Sequence, residues 1–168
     1  MAVAGVPDGF LEGEQDEDQQ RAILELLTRA YWMEIETVMN YIAASIGQDG
    51  GGGLAVRTAL KEGVEEEVEH ARALGRRIQE LHGVVPDDGG LAAGEEQRQP
   101  LGRQTDVTST IEAVVATETS AIRHYLRIMH LSARFDADTS ALALNILRDE
   151  QRHLRLFEGY LRELRSGS

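Results

Sequence analysis

A glutamate followed three residues later by a histidine occurs twice in this sequence, as EVEH and EQRH. The second copy is formed by Glu150 and His153 within the segment NILRDEQRHLRLFE. The helical spacing of this segment predicts that both side chains point inward together with Leu147, Leu154 and Phe157. A buried carboxylate and a buried imidazole are costly unless another group compensates them. The repeated motif therefore constrains the fold more than any other feature of the chain.

The two halves of the sequence repeat a larger pattern around these motifs. In each half, a glutamate is followed seven residues later by a tyrosine. The glutamate of the Glu-x-x-His motif comes 33 residues after that first glutamate in the first half and 32 residues after it in the second. The residues of the pattern are Glu34, Tyr41, Glu67 and His70 in the first half, and Glu118, Tyr125, Glu150 and His153 in the second. Each half predicts a helical hairpin with one glutamate on its first helix and Glu-x-x-His on its second.

This arrangement of carboxylates and imidazoles predicts a metal site. Residues three apart share a helix face, so the two side chains of each motif can reach the same ion. Four carboxylates buried in one bundle repel one another, whereas two divalent cations would neutralise them and each would gain one imidazole. This ligand pattern recurs in dinuclear carboxylate bundles, and oxygen with imidazole favours iron or manganese. The predicted ligands are Glu34, Glu67, His70, Glu118, Glu150 and His153.

Helical periodicity dominates the chain, and strand alternation is nearly absent. The predicted helices cover about 18–46, 54–82, 106–133 and 139–164, with Gly83 as a C-cap and Asp136 or Asp138 as an N-cap. The segment 84–103 is long enough to run back along a helix of about 40 Å. These features predict an all-α four-helix bundle of two helical hairpins joined by a long crossover. Residues 1–17 are predicted to form an acidic flexible tail, and 18–165 the bundle.

Composition excludes several classes of function. The chain has no cysteine, which excludes disulfides, iron–sulfur clusters and thiolate zinc sites. Its formal net charge of −12 argues against a nucleic-acid partner. No apolar run reaches the roughly 18 residues of a membrane span, and the N-terminus lacks the pattern of a signal peptide. We therefore expect a cytoplasmic protein with neither a nucleic-acid nor a membrane partner.

Three segments resemble the bacterioferritins: EIETVMNY their first helix, EVEHARALGRRIQELHGVVP their second, and ILRDEQRHLRLFE their fourth. The resemblance covers most of residues 20–165 and implies a ferritin-like four-helix bundle. It also implies that the six predicted ligands form a ferroxidase-type di-iron centre in which Glu67 and Glu150 bridge the ions. By the same resemblance, Tyr41 is the candidate catalytic residue that hydrogen-bonds a ligand carboxylate, and Tyr125 is its pseudo-symmetric partner.

The sequence departs from bacterioferritins in three respects, one of which is a connection between the second and third helices that is several residues longer than theirs. Val68 stands where haem-binding bacterioferritins carry a haem-ligating methionine, so no haem is expected by that route. Only 15 residues follow His153, too few for the fifth helix that helps to close 24-subunit cages. We therefore do not expect a large hollow cage.

The first helix carries a second apolar stripe, formed by Leu24, Tyr31, Ile35, Met39, Ile42 and Ile46. The stripe predicts either a subunit contact or burial beneath the crossover. The resemblance favours a homodimer or a higher homo-oligomer.

Several residues compete with the predicted ligands. Glu36 lies about 200° around the helix from Glu34 and has no tyrosine seven residues further on, so Glu34 is preferred. The acidic neighbours of the first motif, Glu65, Glu66 and Glu69, are predicted to form a solvated face. His82, His124 and His130 lie off the pattern. His82 ends a helix and is predicted to lie at the surface, and His124, which neighbours the core-facing stripe and could lie beside the ligands, is predicted to be exposed.

The leading hypothesis is a di-iron ferroxidase that oxidises Fe(II) with O₂ or H₂O₂ for iron detoxification or limited storage. One alternative is a rubrerythrin-like peroxide reductase, which would need a separate electron donor because the chain has no cysteines for a rubredoxin site. Another is a non-catalytic helical interaction module whose inward acids and histidines are only hydrogen-bonded. A DNA-shielding mini-ferritin fits less well, because such proteins usually place the metal between subunits with a different histidine pattern. The ligand set leaves iron and manganese both open.

Overall fold

The protein is an all-α four-helix bundle, as predicted. The computed structural model describes residues 8–46, 53–87 and 106–166. Its helices are α1 (Asp8–Ile46), α2 (Gly53–Glu80), α3 (Val107–Ser132) and α4 (Ala137–Ser166). The helices α1 and α2 form one hairpin, α3 and α4 form the other, and the hairpins meet mainly through α1 with α3 and α2 with α4. Of the predicted crossover over 84–103, the part from residue 88 onward lies outside the described residues.

The helix α1 begins at Asp8, ten residues before its predicted start at Asp18. The backbone of 8–17, which we assigned to the tail, is therefore helical where it is described. The segment is rich in glutamate and glutamine, which favour helix, and extending an existing helix costs far less than starting one. The flexibility of the tail stays a prediction. In none of the described helices is there a segment long and apolar enough for a membrane span.

The helix α2 ends in a different conformation from the one predicted. The backbone N–H of Gly83 donates to the carbonyl of Ile78 (2.8 Å), and that of His82 donates to Gln79 (2.9 Å). His82, with φ of 61°, is therefore the left-handed residue of a Schellman motif, and Gly83 follows it. A Cβ on Gly83 would lie 2.6 Å from Leu24 Cδ2, so a larger residue there would displace the Leu24 side chain of α1.

Aspartates begin both helices of the second hairpin. Asp106 caps α3, accepting a hydrogen bond from the backbone N–H three residues further on (2.8 Å). Asp136 caps α4 through the backbone N–H of Thr139 (2.9 Å), whereas Asp138 lies within the first turn. Arg77 of α2 contacts both Asp136 (2.7 Å) and Thr139 (2.8 Å). These contacts join the end of α2 to the start of α4.

The apolar core consists of two clusters that lie on either side of the middle of the bundle. The first cluster contains Ile23, Leu27, Ala30, Leu74, Ile78, Ala121, Tyr125, Ile128, Ala143, Ile146 and Leu147. The second contains Tyr41, Ala44, Val56, Ala59, Leu60, Ile111, Val114 and Phe157. Along each helix, the buried glutamates, together with His70 and His153, fall between the residues of the two clusters. The two clusters therefore enclose a polar layer.

Candidate metal centre

The six predicted ligands come together in this polar layer. All are buried, and the most accessible of them, His70, is 8% exposed. They form two overlapping groups, Glu34, Glu67, His70 and Glu150 in one, and Glu67, Glu118, Glu150 and His153 in the other. Within each group, one potential ligand atom from every residue lies within 4.8 Å of the others. Glu67 and Glu150 belong to both groups, which is the arrangement expected of carboxylates shared by two ions.

The Nδ1 atoms of the two histidines face the shared carboxylates. His70 Nδ1 lies 3.3 Å from Glu67 Oε2 and 3.2 Å from Glu150 Oε1. His153 Nδ1 lies 3.2 Å from Glu67 Oε1 and 3.6 Å from Glu150 Oε2. Each imidazole therefore presents Nδ1 as its potential ligand atom.

Three of these buried polar atoms have no hydrogen-bond partner: Glu67 Oε1, Glu150 Oε1 and His153 Nδ1. His153 Nδ1 and Glu67 Oε1 are close together but not oriented for a hydrogen bond. Unpartnered buried polar atoms are rare because each costs free energy. A cation between them would satisfy oxygen and nitrogen together, so the donor set fits a pair of divalent metal ions.

Two tyrosines connect the hairpins at this layer. The hydroxyl of Tyr41 on α1 donates to Glu118 on α3, and that of Tyr125 on α3 donates to Glu34 on α1. A Cβ on Gly63 would lie 2.8 Å from Tyr41 Cε2, so the glycine in α2 makes room for this ring. The tyrosines orient the two carboxylates that are not shared, and the catalytic role of Tyr41 stays a prediction.

Two acids that were not predicted as part of the site hold the outer nitrogens of the histidines, and Glu66 is one of them although it was assigned to a solvated face. His70 Nε2 lies 3.4 Å from Asp149 Oδ2, and His153 Nε2 lies 3.0 Å from Glu66 Oε2. Arg152 Nη2 binds both acids, at 2.6 Å from Glu66 and 2.9 Å from Asp149. Carboxylates in this position fix the ring orientation of a ligand histidine. The available signal was the acidic residue directly before each motif glutamate.

Burial and the neighbouring ionisable groups have opposite effects on the pKa values of His70, His153, Glu67 and Glu150. Burial by itself would lower the pKa of His153, but the adjacent carboxylates of Glu150 and Glu67 raise it to about 11. The pKa of His70 is raised still further by Glu150, Glu34 and Glu67 against the same effect of burial. Burial would raise the pKa of Glu67, but the two histidines beside its carboxylate lower it to about 2. The pKa of Glu150 is lowered in the same way.

Glu34 and Glu118, which each belong to only one of the two ligand groups, have raised pKa values. Burial and repulsion by Glu150 raise the pKa of Glu34 and of Glu118 well above the ordinary value. Burial likewise raises the pKa of Tyr41 and Tyr125, so both phenols remain hydrogen-bond donors. Without metal, these shifts favour ionised carboxylates at Glu67 and Glu150 facing protonated histidines, and protonated carboxyls at Glu34 and Glu118.

The residues that competed with the ligands lie elsewhere. Glu36 is half-buried and outside both groups, His82 is exposed as predicted, and His130 is exposed as well. The prediction that His124 is exposed was wrong, because its ring is buried and hydrogen-bonds to the carbonyl of Leu26 (2.8 Å). Burial lowers the pKa of His124, which favours the neutral ring.

The sequence matches the Ferritin-like domain family over residues 24–166. The chain belongs to this family. The ferritin-like chain is 29% identical over 149 residues to the DNA protection during starvation protein of Pyrococcus furiosus, a match covering 86% of this chain and 80% of that protein.

Solved structures share the fold of this ferritin-like chain. The bacterioferritin-related protein of Bacteroides fragilis, described as a dodecameric thioferritin, matches with a TM-score of 0.80 and 26% identity, covering 88% of each chain. The bacterioferritin of Desulfovibrio desulfuricans, described with a diiron site, matches with a TM-score of 0.73 and 21% identity, covering 90% of this chain and 84% of that one. The second similarity supports the fold alone.

Proposed function

We propose that this protein is a ferroxidase that binds two ferrous ions in the polar layer and oxidises them with O₂ or H₂O₂. Its purpose would be iron detoxification or limited iron storage. The observation that carries the proposal is the pair of overlapping ligand groups, in which all four helices of one chain contribute and Glu67 and Glu150 are shared. Membership of the ferritin-like family supports the proposal.

The substrate ions would supply the two electrons that the oxidant takes up. The shared carboxylates would hold the two ions close enough for one oxidant molecule to contact both. Tyr41 and Tyr125 would orient Glu118 and Glu34 through their hydrogen bonds. The apolar clusters on either side would keep bulk water from the reacting ions.

The proposal is tested by titrating the protein with Fe(II) without oxygen and then adding O₂ or H₂O₂. We expect saturation at about two ions per chain and rapid oxidation. Glu67→Ala should abolish the rapid phase while far-UV circular dichroism shows retained helix. Glu65→Ala is the matched control, because Glu65 is an exposed acid two residues away. A full rate in Glu67→Ala would contradict the assignment of the centre.

The same assay separates the alternatives. A peroxide reductase would turn over repeatedly with H₂O₂ only when an electron donor is present, whereas a ferroxidase stops when Fe(II) is consumed. A non-catalytic interaction module would bind neither Fe(II) nor Mn(II) at the cluster. Metal analysis of protein purified without chelator would distinguish iron from manganese.

The name of the Pyrococcus relative makes DNA binding worth testing. The net charge of −12 predicts that this protein does not shift DNA in a native gel.

The protein is also proposed to form a homo-oligomer. Met39, Ile42 and Ile46 of the predicted second stripe are exposed on α1, and Leu54 is exposed on α2. Exposed apolar residues grouped in this way are typical of a subunit contact. The Bacteroides relative is described as dodecameric. Light scattering coupled to size-exclusion chromatography would give the number of subunits, and Ile42→Glu should reduce it.

A further inference from the structure

A narrow cleft between α1 and α3 leads from the bundle surface to the candidate metal centre. Its volume is about 30 Å³, which is enough for one or two water-sized molecules. Glu34, Glu118 and Glu150 line its inner end. The half-buried side chains of Asn40 and Ser120 line its outer part.

The wall of the cleft carries apolar side chains, Met33 and Ala121 among them, as well as polar ones, and its two threonines do not close it. The hydroxyl of Thr37 donates to the carbonyl of Met33 (2.9 Å), and that of Thr117 donates to the carbonyl of Ala113 (3.1 Å). Because both hydroxyls bond back to their own helices, they do not link α1 to α3 across the passage. Glu36 and Arg29 also line the cleft. Together with the three glutamates at its inner end, the cleft therefore contains four acidic residues and one basic residue.

The opposite side of the centre is covered. On the face formed by α2 and α4, Arg152 binds Glu66 and Asp149, and these acids in turn hold the outer nitrogens of the histidines. The two apolar clusters fill the bundle above and below the polar layer. An ion arriving from those directions would have to break ion pairs or cross apolar side chains.

We infer that divalent metal ions enter the centre through the cleft between α1 and α3. The inference rests on the proposed function only in requiring that the cluster binds metal. An ion in the cleft meets the oxygens of Asn40 and Ser120 before it reaches the carboxylates, so its water ligands can be replaced in steps. Entry through the cleft leaves the Arg152 ion pairs intact.

The experiment measures Co(II) binding without oxidant, by stopped-flow absorbance for the rates and by equilibrium titration for the affinity. Ser120→Leu narrows the outer part of the cleft without touching a predicted ligand. Because an obstructed route slows entry and exit alike, we expect association and dissociation each to fall about tenfold, with the affinity unchanged within about twofold. Ala116→Leu, at an exposed position of α3, is the control and should bind at the wild-type rate.

Thr117→Ala keeps the inference testable if Ser120→Leu does not fold, because it widens the cleft and should accelerate association. A folded Ser120→Leu that binds Co(II) at the wild-type rate, or a Thr117→Ala that is not accelerated, would overturn the route. If the wild-type protein binds no Co(II) at the cluster, the proposed function fails together with the route. This result is distinct from failure of the route alone, in which Co(II) still binds.

Discussion

The hydroxyl of Tyr41 on α1 donates a hydrogen bond to Glu118 on α3, a residue 77 positions further along the chain. The pseudo-symmetric bond joins Tyr125 to Glu34 in the opposite direction. Each hairpin thus orients a predicted ligand carboxylate of the other. The two halves of the repeat therefore depend on each other for the geometry of the site.

Tyr41→Phe should destabilise the metal-free protein by about 1–2 kcal/mol, because the buried Glu118 loses its donor. Iron oxidation should also slow, since Glu118 would be free to rotate. Urea unfolding and the oxidation rate measure the two effects. Tyr160→Phe is the control, because the Tyr160 ring is only half-buried and packs against Phe157. Equal losses in both variants would show that the Tyr41 hydroxyl has no special role.

Metal binding near pH 7 should release about four protons for each pair of ions. Two would come from Glu34 and Glu118, whose raised pKa values keep them protonated, and two from the histidines, whose pKa values are also raised. Because protons leave, affinity should rise with pH across the neutral range. Calorimetry with Co(II) in buffers of different ionisation enthalpy counts the protons. A pH-independent affinity would contradict this protonation pattern.

Glu34→Gln and Glu67→Gln should affect the metal-free protein differently. Glu34 is protonated there, so glutamine replaces one neutral group by another of the same shape, and stability should change little. Glu67 is ionised with its pKa lowered to about 2, so it stabilises the fold above the ordinary value of 4.5 and this contribution is lost as pH falls toward 2. Glu67→Gln should therefore be clearly less stable at pH 7, by thermal unfolding. Both variants should bind Co(II) more weakly than the wild type. Wild-type affinity in either variant would refute this expectation.

Arg152→Ala should weaken metal binding about tenfold, because Glu66 and Asp149 would lose the cation that holds them against the histidines. Arg155→Ala is the matched control, since Arg155 is an exposed arginine one turn further along α4. Equilibrium titration with Co(II) compares the two. Arg152→Lys should recover part of the affinity if charge is what matters. Loss of helix in Arg152→Ala would instead indicate a purely structural role.

The spacing of the residues was sufficient to predict the four helices and the six residues that meet in the polar layer. Residues three apart must share a helix face, and a repeat with nearly equal steps places the motifs at the same height in both hairpins. The errors lay at positions where periodicity carries little information. The start of α1 has no sharp helix signal, and His82 takes a left-handed conformation that glycine more commonly adopts.

Only the tertiary structure decided which side chains meet between helices. Helical periodicity gives the direction of a side chain from its own axis but not the partner that the neighbouring helix presents. For this reason Glu66 and Asp149 could not be assigned to the histidines, and His124 was not recognised as buried. The cleft between α1 and α3 likewise depends on how closely two helices from different hairpins approach. The sequence alone determined the helices and the ligand layer, and packing across the bundle decided what surrounds it.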